Sequence, residues 1–373
     1  TFLKSLSQFF SADTSDTGNS VPYRVHQRNG HVIALLPDGL IYQIFLAELL
    51  PGEGFFARAY RFAVASLGYC GIAYPLRTTN LVFSPDLPIV RMIRDLDGSN
   101  LPPVILPSEP GKEDSPLTFI TLTEECHPCR VIKAGKSDIS RNFVRREYHF
   151  IQEAPPSVKS SIPPTLHFLD EPDCTASAMS FFSGRRLSGP ANFDQVERIL
   201  SPWIDDSRMC LVRETDPWLA LVRASSPETL SRLDTLGGAL IHPCVFHGDF
   251  APWNVRVSTD GTWKVFDWKR GELNGLPGWD WLHFHIQPAL RIPNRPAARL
   301  ALSLRDLMFS PPFQRYLNRA KLQSHEHDLA ISYLSFCETL DLSKHVTGNV
   351  RALRDELESG KVLVSGTDLQ RKL

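Results

Sequence analysis

The chain has 373 residues, enough for two compact lobes with separate cores, although three smaller domains would also fit. A hydrophobic content of 42% with 22% charged residues excludes wholesale disorder and fibrous repeats. The formal net charge of -1 argues against a protein whose main task is to grip a nucleic acid backbone.

Residues 1–20, rich in Ser, Thr and Asp, read as a flexible leader. From His31 to Leu76, apolar segments broken by Pro37-Asp38-Gly39 and Pro51-Gly52-Glu53-Gly54 predict a strand or two followed by helices. The stretch 21–100 carries no recognisable chemistry and reads as an N-terminal extension of unknown role, which could be an added domain, part of the first lobe or a dimerisation element. The run 55–76 is apolar apart from Arg58, Arg61 and a few small polar residues. It reads as a core helix, with peripheral contact to a membrane surface as the alternative. No stretch reaches the roughly eighteen uninterrupted apolar residues of a membrane span. The N-terminus lacks a basic-then-apolar signal, so a cytoplasmic location is expected.

Three short β-rich runs follow: Val104-Ile105-Leu106, residues 117–122 and residues 130–133, separated by turn-rich segments. They predict a three-stranded antiparallel meander. The second turn holds Cys126-His127-Pro128-Cys129. A redox pair of this spacing would open a helix and a zinc site would need a second Cys/His pair nearby, so the segment reads as a hairpin turn. The odd total of seven scattered cysteines fits a reducing compartment better than a disulfide framework. Residues 140–154 have helical spacing of Phe143, Tyr148 and Ile151, stopped by Pro155-Pro156. A further strand is predicted over 177–182, with 177–184 as a hinge between lobes. Beyond it the pattern is mainly helical, with helices predicted over 227–240 behind a Ser226 cap, 297–307 and 326–340.

The chemistry concentrates between Cys244 and Ile286. His247-Gly248-Asp249-Phe250-Ala251-Pro252-Trp253-Asn254 precedes a strand pair, Val255-Arg256-Val257 and Trp263-Lys264-Val265-Phe266, which ends on Asp267. Two acids and an amide thus bracket one hairpin. Phosphoryl transfer needs a carboxylate to orient an attacking hydroxyl and take its proton, together with oxygen ligands for Mg²⁺ beside the nucleotide phosphates. Asp249 fits the first task, and Asn254 and Asp267 fit the second.

This constellation, extended by Gly275-Leu276-Pro277-Gly278-Trp279-Asp280, resembles the aminoglycoside phosphotransferase and choline kinase group. The resemblance spans residues 100–290 and is most specific over 245–285. It implies an α+β, bilobal protein-kinase-like fold, with a nucleotide-binding N-lobe at 101–182 and a catalytic and substrate-binding C-lobe at 183–373. It further implies ATP and Mg²⁺ as cofactors and a hydroxyl on a small molecule, an amino sugar, another sugar or an amino alcohol, as acceptor. Lys133 is then the lysine that binds the α- and β-phosphates, with Glu147 on the next helix as its partner. The phosphate-covering loop falls at 108–115, where Gly111 is the single glycine and Lys112 could add charge. Backbone groups around Met179 and Phe181 would meet the adenine edge. His247 is implied as a structural histidine and Asp280 as a tie on the loop backbone. Lys269 departs from the family, where an acid often follows the Asp-Trp pair; there it would weaken a second metal site or face solvent. Trp268, Trp279, Trp281, His283 and His285 read as core, since they alternate with Leu282 and Phe284 as a buried helix start requires, with a sugar-stacking platform or metal site as the alternative. Asp194, Glu197, Asp205 and Asp206 read as surface charge. Two other readings stay open: a pseudokinase or scaffold that binds a protein partner, and a protein kinase, against which stands the lack of a long activation segment after Asp267. Oligomeric state is not legible.

Overall fold

The computed structural model describes residues 6, 10, 20–28, 30–39, 42, 55–71, 76–97, 101–109, 111–112, 114–125, 127–187, 193–293, 295–340 and 342–359. The turn residues Pro110, Glu113 and Cys126, the segment Pro51-Gly52-Glu53-Gly54 and most of the expected leader lie outside them. The chain divides into two compact units, one of Thr1–His149 and Pro163–Phe182, the other of Phe150–Ile162 and Ser183–Leu373.

The first unit is built on one eight-stranded sheet. Its strands are β1 (Ser20–Arg28), β2 (His31–Pro37), β3 (Thr78–Val82), β4 (Val104–Pro107), β5 (Leu117–Leu122), β6 (Pro128–Gly135), β7 (Thr165–Glu171) and β8 (Cys174–Ser180). Their order is β3-β1-β2-β4-β5-β6-β8-β7, with every pairing antiparallel. Three helices accompany it: α1 (Phe55–Tyr69), α2 (Pro88–Asp97) and α3 (Asp138–Glu153), the last running on into the second unit.

Successive strand residues point to opposite faces, and both faces here are apolar. Leu35, Ile105 and Phe119 pack on one side with Ile89, Met92 and Ile93 of α2 and with Leu6 and Phe10. Ala34, Leu36, Val104 and Ile120 pack on the other with Val64 of α1 and Tyr42. The region 21–100 therefore contributes three strands and a covering helix for each face of this sheet, and two residues of the expected leader, Leu6 and Phe10, are buried in its core. Strand β7 escapes sequence reading because it is an edge strand with little burial, so its side chains show no clear alternation. Among the described residues no helix is long and apolar enough to cross a membrane.

The second unit is mainly helical: α4 (Phe193–Leu200), α5 (Asp216–Ala224), α6 (Trp279–Leu290), α7 (Ala297–Met308), α8 (Pro311–Ala320), α9 (Glu326–Thr339) and α10 (Lys344–Glu358). Short strands β9 (Arg185–Arg186), β10 (Cys244–Phe246), β11 (Val255–Val257), β12 (Trp263–Val265) and β13 (Glu272–Gly275) frame the central loops. The helix expected over 227–240 is instead two pieces, Pro227–Arg232 and Asp234–Gly237, followed by a strand at Leu240–Ile241. Buried Leu233 leaves helical geometry between the pieces, and Gly237-Gly238 favours the stop. A β-rich unit followed by a mainly helical one, with α3 and a short helix at Pro156–Lys159 after the third meander strand, is the order of elements that the resemblance implies.

One close approach sets the geometry of the first unit. A Cβ on Gly135, at the end of β6, would run into the backbone of Ser140 and Arg141 in the first turn of α3. Gly135→Ala is therefore expected to destabilise the protein by about 1–3 kcal/mol, read as a lower denaturant midpoint, and an unchanged midpoint would show that this junction can relax.

Candidate functional site

In the first unit, Lys133 alternates along β6 with Ile132 and Ala134, which enter the core on the opposite face. Its ammonium donates to both carboxylate oxygens of Glu147 on α3, at 2.9 and 2.8 Å. The side chains are 15% and 4% exposed, so this is a largely buried pair. Glu153, on the same helix, is exposed. Lys112 is occupied differently, since its ammonium lies 2.9 Å from Glu109 in the turn between β4 and β5. Gly111 has a left-handed backbone (φ 94°) and lies against the His31 ring. Met179 is buried in β8, between Val131 of β6 and Thr165 of β7. The N–H groups that an adenine edge would use at 180 and 181 are already donated, Ser180 to the Pro164 carbonyl and Phe181 to that of Cys129. Pairing along β8 runs to Ser180 with one further bond from Phe181, so the first part of the segment read as a hinge is strand, and the boundary between the two units falls within it, between Phe182 and Ser183.

In the second unit the loop His247–Asn254 is tied at several points. Asp280, at the start of α6, accepts the N–H of His247 at 2.6 Å through Oδ2 and that of Gly248 at 3.1 Å through Oδ1. Burial pushes the Asp280 carboxyl up to about 7, opposed by these two donors. Gly248 is held at φ 77°, and a Cβ there would meet Arg270, so this turn requires glycine. The His247 ring is buried, with Nδ1 accepting from the Asp249 N–H at 3.1 Å; Nε2 therefore carries the hydrogen and donates to the Phe266 carbonyl at 2.8 Å. Burial lowers its pKa to about 4, consistent with a neutral ring in a structural role.

The hairpin then places two further oxygens. Phe266 donates its N–H to the Asn254 carbonyl at 2.9 Å while its own carbonyl is held by His247, so the residue leading into Asp267 is held through both of its backbone polar groups. Asp267 itself adopts φ 70°, a left-handed conformation uncommon outside glycine. Trp268, fully buried, stacks on Phe150 with ring centroids 4.9 Å apart and anchors the far side of the turn. The Asn254 Nδ2 donates to the Asp249 carbonyl and to its Oδ2, at 2.8 and 3.1 Å. Lys269 does not face solvent: its Nζ lies 3.4 Å from Asp267 Oδ2, with the side chain 10% exposed.

One member of this cluster is missed by sequence reading. His283, assigned to the core by its apolar neighbours, places Nε2 3.0 Å from Asp249 Oδ1, and its Nδ1 lies 2.9 Å from the Tyr333 hydroxyl on α9. Burial pushes the Asp249 carboxyl up, but the hydrogen bond from His283 opposes it and the group lies below its ordinary value. The available signal was spacing: Asp280 and His283 are three apart on one helix, hence on one face. Trp268, Trp279 and Trp281 are core, and His285 bonds to Ser303. Asp194 and Glu197 pair with Arg315 and Asp206 pairs with Arg319, which accounts for them as surface ion pairs.

No family model matches the sequence, and no curated protein matches it. Solved structures similar in chain path include choline kinase LicA from Streptococcus pneumoniae, at 14% identity and a TM-score of 0.45, covering 73% of this chain and 99% of that one. Another is the GDP complex of wild-type aminoglycoside 2'-phosphotransferase-IIIa, at 11% identity and a TM-score of 0.44, covering 74% of this chain and 100% of that one. At such identities and TM-scores they carry no weight for substrate or chemistry.

Because both Asp280 oxygens serve buried N–H groups, Asp280→Ala is expected to cost about 1–3 kcal/mol for each donor left orphaned. Asp280→Asn, which keeps one acceptor oxygen, should cost less. Urea unfolding of the three proteins measures the order, and equal stability would mean that the loop is anchored elsewhere.

Proposed function

We propose that this chain is an ATP- and Mg²⁺-dependent phosphotransferase that moves the γ-phosphoryl group to a hydroxyl of a small molecule. The observation that carries the reading is the convergence of Asp249, Asn254 and Asp267 around one tethered hairpin, with Asp249 held as a carboxylate. The buried Lys133–Glu147 pair adds a cation suited to the α- and β-phosphates.

The donor set fits a hard cation. Asn254 spends its amide hydrogens on Asp249, which leaves the amide oxygen facing away from that contact, and Asp267 supplies a carboxylate. Among the described residues there is no group of three or more His, Cys, Asp and Glu that could hold a metal. A Mg²⁺ site made of two protein oxygens completed by phosphates and water does not need one. Bound there, the ion would neutralise charge on the nucleotide phosphates.

The residues of the chain then have separable tasks. The Asp249 carboxylate accepts the hydrogen of the acceptor hydroxyl and takes its proton as the acceptor oxygen bonds to phosphorus and the bond to the ADP leaving oxygen breaks. Lys133, braced by Glu147, holds the nucleotide. Lys112 spends its charge on Glu109 and the Phe181 N–H is donated to Cys129, so the reading rests on Lys133 rather than on Gly111, Lys112, Met179 or Phe181. A scaffold of low catalytic power is a second reading, favoured by the Lys269 ammonium beside Asp267, where it competes with a divalent cation.

ATP consumption with amino sugars, other sugars and amino alcohols as acceptors tests the proposal. Asp249→Asn is expected to lower turnover by about 10²–10⁴-fold while nucleotide affinity is retained, and Asp267→Asn to lose both. Full turnover by Asp249→Asn would overturn the assignment, and a wild type inactive with every acceptor class would favour the scaffold.

A further inference from the structure

The structure assigns His283, braced by Tyr333, as the residue that positions the Asp249 carboxylate, a role that rests on the phosphotransfer reading above. Asp249 has two oxygens and each has a tether. Oδ2 is held at 3.1 Å by Asn254, five residues along the same loop, and Oδ1 is held at 3.0 Å by His283, which arrives from α6. Asn254 moves with the loop, whereas α6 is locked in the core by Trp279, Trp281 and Leu282, all fully buried. The same helix holds the loop backbone through Asp280. One rigid element thus fixes both the main chain and the side chain of the loop, from positions three residues apart on one face.

The hydrogen positions follow from chemistry. A carboxylate only accepts, so His283 Nε2 carries the hydrogen and donates to Asp249 Oδ1. Burial raises the pKa of Tyr333 well above that of an ordinary tyrosine, so its hydroxyl stays protonated and donates to Nδ1 at 2.9 Å. The bond on one ring nitrogen selects the tautomer that serves the other. His283 and Tyr333 are buried, with the His283 side chain 5% exposed, while the Asp249 side chain at 20% stays partly accessible. Without His283 the carboxylate is freer to turn about its Cβ–Cγ bond, and Oδ1 loses the hydrogen bond that reaches it from α6.

Three variants and two readouts test the assignment. In folded protein, His283→Leu is expected to lower kcat for ATP turnover about 10²-fold with KM for ATP unchanged. His283→Gln, whose amide N–H can reach the place of Nε2–H, should recover part of that loss, and Tyr333→Phe should cost about tenfold. Turnover is measured with the acceptor found by screening or, failing one, with water as acceptor. Nitrogen-15 NMR of histidine-labelled protein, with the His283 signals identified by their loss in His283→Gln, should show a ring protonated at Nε2 and bare at Nδ1 in wild type, and a mixture of tautomers in Tyr333→Phe. The NMR readout needs no turnover and stands even where His283→Leu fails to fold. An unchanged kcat in folded His283→Leu, with an active wild type, overturns the positioning role. A ring protonated at Nδ1 overturns the bracing by Tyr333. A wild type that turns over no nucleotide overturns instead the phosphotransfer reading beneath the proposal, and with it the catalytic purpose of the pair.

Discussion

A buried carboxylate that accepts two backbone N–H groups is the constraint from which the geometry around Asp249 follows. Asp280 receives the N–H groups of His247 and Gly248, and this fixes a turn whose φ of 77° only glycine adopts without strain. The turn delivers His247 into the core, where its ring links the Asp249 N–H to the Phe266 carbonyl. That second bond immobilises the peptide before Asp267, whose own backbone is left-handed at φ 70°. Each step orders the next, so a fault at Asp280 would propagate to both carboxylates without any change in their own identity. The bonds that carry it are short and shielded from water, where each is worth more than on the surface.

The Lys133–Glu147 pair obeys a different balance. Removing two charges from water is costly, and a buried ion pair is weak evidence for stability. An apolar pair would serve the sheet and helix equally well as packing. A lysine held by two charge-assisted bonds at the end of a buried strand is, however, already stripped of most of its hydration and fixed in place. An anionic ligand that joins it pays little ordering entropy. The close approach at Gly135 keeps β6 and α3 near enough for this pair to form.

How much of this was legible depended on sequence distance. The hairpin from Asp249 to Asp267 is local, and its strands, turn and acids stand in one short stretch, so spacing alone exposed it. Lys133 and Glu147 were named through the resemblance, which implies a lysine near a strand end and an acid on the next helix. His283 was hidden because Trp281, Leu282 and Phe284 surround it with the pattern of a core helix, and Tyr333 lies fifty positions further on in a helix that is buried on nearly all sides. Strands β1 and β7 were missed because each alternates imperfectly, one through Arg, His and Gln, the other as an exposed edge. Where β8 stops pairing was not legible either, because hydrogen-bond registry of that kind is set by neighbouring strands far away in sequence.

The central claim is that the chain binds a magnesium nucleotide, and thermal unfolding with and without MgATP tests it most directly in wild type, Lys133→Met and Asp267→Asn. Comparing each protein with itself removes the basal destabilisation that a broken buried pair brings. The account predicts that MgATP raises the wild-type midpoint by several degrees through binding to the folded state alone, that ATP with chelator does so less, and that both substitutions shrink the shift. A wild-type midpoint unmoved by millimolar MgATP, or a full shift retained in both variants, would contradict it.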